Sequence, residues 1–234
     1  MDMLRTIHSV WLGPRMPPLA HACLDDWKKQ GYTVRLWTEK DELVRKLIAG
    51  NSFSRECYSR KLYAFVSDYL RLEILRQYGG IYLDLDVTIR KDPFPLCDGN
   101  KFVAGYESST KVGTAVIYSE PDSTVLKRAS SFYEDDIWRS ELFIGPDILT
   151  KVIDGLSFNN EVECVLLPEN TFFPYKGEPL DFDCPDEAVL IHWFEHSWKG
   201  SKGMFFLKTK SYNFWRKAYE FQKHLFNGRF FRGL

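Results

Sequence analysis

The chain lacks an apolar run long enough to cross a bilayer, and it opens without a secretory pattern. Arg5 is the only early basic residue, and Pro14, Pro17 and Pro18 interrupt the segment that comes after it. These absences point to a cytoplasmic protein, or one resting on the inner face of a membrane, rather than a spanning or exported one. Cysteine is sparse, odd in number and scattered, at Cys23, Cys57, Cys97, Cys164 and Cys184. No metal-type spacing occurs among the five, and free thiols in a reducing compartment are the expectation. Internal repeats and low-complexity tracts are also missing, which removes solenoids and disordered scaffolds.

What is present fits one enzyme-sized domain. At 234 residues and 44% hydrophobic content, the chain is long enough for a sizeable core. Strand patterns at 6–12, 33–37, 102–106, 115–118, 162–167 and 188–192 alternate with helical patterns. The helical patterns lie at 19–30, 41–49, 62–78, 123–133 and 147–153. Such alternation predicts an α/β fold with a mixed central sheet flanked by helices on both faces. The Pro-, Gly- and Asp-rich stretch at 168–185 reads as a long loop bordering the site.

The sharpest local signal is Gly79-Gly80-Ile81-Tyr82-Leu83-Asp84-Leu85-Asp86-Val87. Period-2 alternation predicts a strand with Tyr82, Asp84 and Asp86 on one face and Ile81, Leu83, Leu85 and Val87 on the other. Two carboxylates on one side of an apolar strand repel each other and are costly to bury. A hard divalent cation removes that cost, and Mg2+ or Mn2+ commonly joins one or two carboxylates to substrate phosphates. The preceding helix places Asp68 and Arg71 three residues apart on one face, and Gly79 and Gly80 supply its left-handed stop. On spacing alone, Asp68 and Arg71 read equally well as an exposed ion pair of little energetic value.

Ser67-Asp68-Tyr69-Leu70-Arg71 followed by Tyr78-Gly79-Gly80-Ile81-Tyr82-Leu83-Asp84-Leu85-Asp86 resembles the core signature of glycosyltransferase family 32. That family includes capsular-polysaccharide and lipopolysaccharide transferases and yeast mannosyltransferases. The glucosylating clostridial toxins share the core more distantly. Ile7-His8-Ser9-Val10-Trp11-Leu12-Gly13 is similar to the family's first strand, Gly145-Pro146 with Leu149-Thr150 to a middle segment, and Ile191-His192 with Ser197-Trp198 to its closing segment. The resemblance implies a single-domain GT-A-type, Rossmann-like fold over residues 1–210. It also implies metal-dependent transfer of a sugar from a UDP- or GDP-sugar to a glycan or lipid-linked glycan hydroxyl, with retention.

Each motif residue then carries an expected role. Asp86 coordinates Mn2+ or Mg2+ directly, and Asp84 contacts the ribose or donor sugar, reaching the metal through water. The resemblance assigns Asp68 and Arg71 to the donor sugar and phosphate, and Trp11 to stacking on the base. The alternative for Trp11 is an ordinary core aromatic. His192 completes the metal shell or binds phosphate, with Glu195, His196, Ser197 and Trp198 close enough in sequence to join it. The chain departs from the family pattern at Trp193 and His196, which leaves the third ligand open. It departs again at Thr114, where relatives carry Asn. Tyr106 and Glu107 line the acceptor side or form a strand-end surface pair. No residue stands out as a covalent nucleophile.

Two other classes compete. Asp84-Leu85-Asp86-Val87-Thr88 also spells the motif of haloacid-dehalogenase-like phosphatases, with Asp84 as nucleophile. That fold opens on its motif, whereas here more than eighty residues precede it. A non-catalytic carbohydrate- or membrane-binding module is the third reading.

The overall charge of -1 conceals an asymmetry. Residues 199–234 carry nine Lys or Arg against Glu220, a net +8, which leaves -9 on residues 1–198. The acidic body disfavours nucleic acid as a partner. Residues 211–226 read as a helix with a stripe of Phe214, Ala218, Phe221 and Leu225, broadened by Tyr212, Trp215 and Tyr219, and residues 211–234 are read as a separate basic aromatic tail. Two readings stay open: the helix lies on an anionic membrane surface, or it packs on the domain with its lysines solvated.

Overall fold

A computed structural model describes residues 5–158, 164–177, 182–195 and 204–230. The chain runs β1 (Thr6–Trp11), α1 (Pro18–Lys29), β2 (Thr33–Thr38), α2 (Glu42–Gly50), α3 (Ser52–Ser59), α4 (Tyr63–Tyr78), β3 (Gly80–Leu83) and β4 (Val87–Ile89). It continues through β5 (Phe102–Ser108), β6 (Lys111–Ser119), α5 (Thr124–Ser131), α6 (Gly145–Phe158), β7 (Val165–Leu167) and α7 (Glu169–Phe172). The last elements are β8 (Leu190–His192), α8 (Met204–Thr209) and α9 (Phe214–Phe230).

Six strands form one mixed sheet in the order β2-β1-β3-β6-β5-β7. β1 is parallel to β2 and β3, while β6 is antiparallel to both β3 and β5. Two cores arise from the strand alternation. Tyr82 faces the side covered by α4, with Val10, Val66 and Leu70. Ile81 and Leu83 face the other side, with Ile7 and Trp27 of α1. The flanked mixed sheet expected from the sequence is therefore present.

α4 is the central helix. Its sequence pattern suggests one apolar stripe, but Leu70, Arg71, Glu73 and Ile74 are buried as well, so it is enclosed nearly all round. Its two buried charges are paired, Arg71 with Asp68 and Glu73 with Arg76. Gly79 ends the helix at φ 65°, and Gly80 opens β3 at φ 95°. Because β1 and β3 run parallel, their C-terminal ends open on the same edge of the sheet. That edge holds Trp11 and Asp84, where ligands of open α/β sheets bind.

Three sequence expectations need correction. β3 stops at Leu83, and Asp84, Leu85 and Asp86 form a turn rather than continuing an alternating strand. Val87 then starts β4, which leaves the main sheet and pairs antiparallel with β8. The 168–185 stretch is not all loop. It contains α7, whose Phe172, with the adjacent Phe173, is buried against the second core. α3 carries no strong periodic signal and has no counterpart among the sequence patterns; Asn51 caps it by accepting a hydrogen bond from the Ser54 amide at 2.8 Å. The cysteines are free thiols, with Cys23, Cys57 and Cys97 buried.

Candidate active site

A cavity of about 450 Å³ opens at the C-terminal edge of β1 and β3. Trp11, Asp68, Arg71, Asp84, Asp86 and His192 all line it. Six residues singled out from the sequence thus meet at one place. His196, Ser197 and Trp198 lie outside the described residues.

The cavity floor is built around Arg71. Its side chain is 4% exposed, so the open alternative of a solvated surface pair with Asp68 does not hold. Arg71 Nη2 lies 3.0 Å from Asp68 Oδ1, and Nη1 donates to Asp84 Oδ2 at 3.3 Å and to the Thr114 carbonyl at 2.6 Å. Its guanidinium sits 4.5 Å over the Tyr82 ring. Burial alone would disfavour the Arg71 charge, but Asp84, Tyr82 and Asp68 hold it protonated. Thr114 therefore serves this cluster through its backbone carbonyl.

Asp68 is held from the opposite side as well. Its Oδ2 accepts the Gly145 amide, at the start of α6, at 3.1 Å. A carboxylate at a helix N-terminus is electrostatically favoured. A Cβ on Gly145 would fall 2.6 Å from Asp68 Oδ1, which explains a glycine at that spot. Even so, burial pushes the Asp68 carboxyl up to about 6, with Asp84 adding to the rise and Arg71 and the Gly145 amide opposing it.

Asp84 and Asp86 are two residues apart in the turn but belong to different networks. Asp84 Oδ1 accepts the Tyr82 hydroxyl at 2.8 Å, and its Oδ2 faces Arg71. Asp86 Oδ1 lies 3.3 Å from His192 Nε2, and its Oδ2 accepts the Glu195 amide at 2.9 Å, 109 residues away in sequence. The β4–β8 pairing produces that meeting, since it sets Val87 opposite His192 and lets the Trp193 amide reach the Asp86 carbonyl at 2.9 Å. Burial would raise the Asp86 carboxyl, but the His192 ring and the Glu195 amide outweigh it and hold the group below its ordinary value.

One ligand atom from each of Asp84, Asp86 and His192 lies within 4.8 Å of the other two. Among the described residues this is the group able to hold a cation. Its donor chemistry fits Mg2+ or Mn2+: two carboxylates offer hard oxygens, and the imidazole adds a nitrogen tolerated by Mn2+. His192 itself is fixed by packing. Phe194, in the left-handed region at φ 51°, sets its ring 4.2 Å from the imidazole, and Phe173 meets it edge-on at 5.7 Å.

Trp11 is half-buried at the cavity wall, with Nε1 donating to the Gly13 carbonyl at 3.1 Å. It is not enclosed in the core. Tyr106 packs against the first core instead of the cavity, while Glu107 lines the cavity. Burial pushes the Glu107 carboxyl up to about 7, with His192 and Lys111 opposing and Asp147 and Asp68 adding. The sequence pattern does not reveal Tyr82 as a partner of Asp84 or Phe194 as the brace of His192. Tyr82 carries a usable signal, because period 2 puts it on the same face as Asp84. Phe194 carries none.

Residues 20–106 match the family described as "Glycosyltransferase sugar-binding region containing DXD motif". Among curated proteins, "Subversion of eukaryotic traffic protein A" of Legionella pneumophila is 30% identical over 116 residues. That match takes in 39% of this chain but only 18% of the relative's length. Among solved structures, the PaToxG glycosyltransferase has a TM-score of 0.48 at 19% identity, with 66% of this chain and 72% of that one covered. The galactosyltransferase LgtC, in complex with donor and acceptor sugar analogues, has a TM-score of 0.45 at 14% identity, with 89% and 96% covered. Both TM-scores lie under 0.5, a likeness too loose to bear on function.

Proposed function

We propose that this chain, whose residues 20–106 match the DXD glycosyltransferase sugar-binding region, transfers a sugar from a nucleotide-sugar to a hydroxyl of a glycan or lipid-linked glycan. The observation that carries the reading is the meeting of Asp84, Asp86 and His192 beside the Arg71–Asp68 pair, in one cavity large enough for a small ligand. Asp84, Asp86 and His192 would hold Mg2+ or Mn2+, which would supply positive charge to offset that of the diphosphate. The protein's own residues do the rest. Arg71, fixed by five polar contacts and an aromatic face, holds Asp68 and Asp84 in place at the cavity floor. Asp68 and Asp84 offer carboxylate oxygens to donor-sugar hydroxyls, and Trp11 gives an apolar plane for the base. His192 and Asp86 steady one another beside Asp84. Retention, the sugar and the base belong to the same proposal as expectations of the resemblance.

The phosphatase reading meets an obstacle. An acyl phosphate on Asp84 would neutralise the carboxylate that pairs with the buried Arg71 and accepts the Tyr82 hydroxyl, whereas hydrogen bonds to a sugar or contact with a cation use its remaining lone pairs and leave its charge in place. Incubation with Mn2+ and a panel of UDP- and GDP-sugars separates the classes. Metal-dependent release of nucleoside diphosphate, lost on chelation and in Asp86→Ala, is the expected result. Phosphate release from a generic phosphomonoester would favour the phosphatase, and inertness in both assays a binding module.

A further inference from the structure

We propose that α9 is an interfacial helix by which this protein docks on an anionic lipid surface. This stands apart from the catalytic reading. The sequence leaves two options open for the helix, and its exposure separates them.

The element just before it is fastened to the body. Leu207 of α8 is fully buried, the Arg60 guanidinium lies 4.3 Å over Phe206, and Lys210 Nζ donates to the carbonyls of Ile137 and Ser140. Between residues 213 and 223, every side chain is exposed except that of Glu220, which is half-buried. Phe214 is 73% exposed, Trp215 79%, Tyr219 57% and Phe221 53%. Among the described residues, Phe221 lies 6.1 Å from the Phe205 ring and Arg216 lies 3.7 Å from Glu141. A helix of a folded domain ordinarily turns its large apolar groups inward. This one turns four aromatics outward.

Their arrangement is two-sided. At about 100° per residue, Phe221, Phe214, Ala218, Trp215 and Tyr219 occupy one arc of roughly 160°, with Gln222 inside it. Lys223, Arg216, Glu220 and Lys217 occupy the opposite arc. Aromatic groups on one side with cations on the other is the pattern of helices that lie in the headgroup region. Trp and Tyr suit that depth, since each ring is apolar with one polar atom. Charge selects the lipid. The +8 of residues 199–234 is attracted to an anionic surface, whereas the -9 of the body is repelled by it, so contact is confined to the tail. No helix among the described residues is long and apolar enough to cross a membrane, so α9 rests on the surface rather than spanning it.

The test is co-sedimentation of the full chain with phosphatidylcholine vesicles, with and without about 30% phosphatidylserine. The expected result is binding to the anionic vesicles alone, weakened by high salt. Phe214→Ser with Trp215→Ser should lower it at least roughly tenfold at an unchanged thermal midpoint. Lys217→Glu with Lys223→Glu should remove the preference for anionic lipid. Equal sedimentation with both vesicle types, or undiminished binding of the aromatic variant, would overturn the proposal. A lipid-free dimer that dissolves in the aromatic variant would overturn it too, by showing that a second copy covers this face.

Discussion

Arg71→Met is the perturbation that best probes the physical logic of the cavity floor. The substitution keeps an unbranched side chain in α4 but leaves Asp68 and Asp84 without their shared cation, and the Thr114 carbonyl without its 2.6 Å donor. Breaking a buried pair by deleting one partner typically costs about 3–5 kcal/mol. Asp84 is 28% exposed, so water takes up part of its pairing, and most of the loss falls on Asp68. In a domain of this size, a loss of that order lowers the thermal midpoint by roughly 6–20 °C. The loss should also depend on pH. With Arg71 present, the Asp68 carboxyl already sits at about 6 against an ordinary 3.8, and without Arg71 it moves higher. The native carboxyl holds its proton more tightly than the unfolded one, so stability falls as pH rises from 3.8 through the native value. At about pH 5 both proteins keep Asp68 largely neutral and the gap between them narrows; at about pH 8 only the parent has a cation beside the ionised group. Urea unfolding at the two pH values measures this. A deficit below about 1 kcal/mol at the higher pH, or one equal at both pH values, would refute the reasoning. Adding Asp68→Asn to the Arg71→Met chain should restore part of the loss, because coupled neighbours are not additive.

Three further outcomes are expected. Asp86→Asn should weaken Mn2+ binding by roughly 100-fold or more in a calorimetric titration while the unfolding midpoint in metal-free buffer moves little; undiminished affinity would remove Asp86 from the metal set. Trp11→Ala should weaken nucleoside diphosphate binding by about 1–3 kcal/mol, and an unchanged dissociation constant would restrict Trp11 to packing. His8 is buried, its Nδ1 accepts the Trp37 indole at 3.0 Å, and burial lowers its pKa from 6.5 to about 4. The unfolded chain therefore binds the extra proton first, and stability falls as pH drops from 6.5 toward 4, by on the order of 3 kcal/mol. His8→Asn should flatten that limb of a pH series of melts, and an unchanged limb would trace it to another group.

The mixed sheet is legible in the sequence because period-2 and period-3.6 signals are local properties of the strands and helices that carry them. The same locality explains what stays concealed. Leu85 and Val87 continue the apolar alternation of Ile81 and Leu83, so the pattern runs straight through a turn that breaks the strand at Asp84. The turn exists because β4 finds its partner in β8, a pairing across about a hundred residues that no local window contains. The dispositions of Asp68, Arg71 and Tyr82 are partly readable, since helix spacing and strand parity put them on particular faces. Gly145 is readable only as part of a family segment, because its closeness to Asp68 depends on where α6 docks. The tail shows the reverse limit. Its amphipathic pattern is plain, but a pattern says which face is apolar and not whether anything covers it.

The broken strand also accounts for how two like charges persist so close together. On a continuous strand, Asp84 and Asp86 would point the same way and share one set of partners, each raising the cost of ionising the other. In the turn their side chains take different partners, although an oxygen of each lies within 4.8 Å of the other. Asp84 is satisfied by α4 and β3 through Arg71 and Tyr82, and Asp86 by the β8 segment through His192 and the Glu195 amide. Each carboxylate thus has its own compensating donors before any ligand arrives, and both still reach within 4.8 Å of a common third group. A site assembled in this way keeps two carboxylates close together, each with donors of its own. The negative charge of the two carboxylates is what a divalent cation would neutralise, and their separate partners explain why Asp84 and Asp86 should respond differently to substitution. Loss of Asp84 disturbs the Arg71 floor, whereas loss of Asp86 frees His192 and the chain that comes after it.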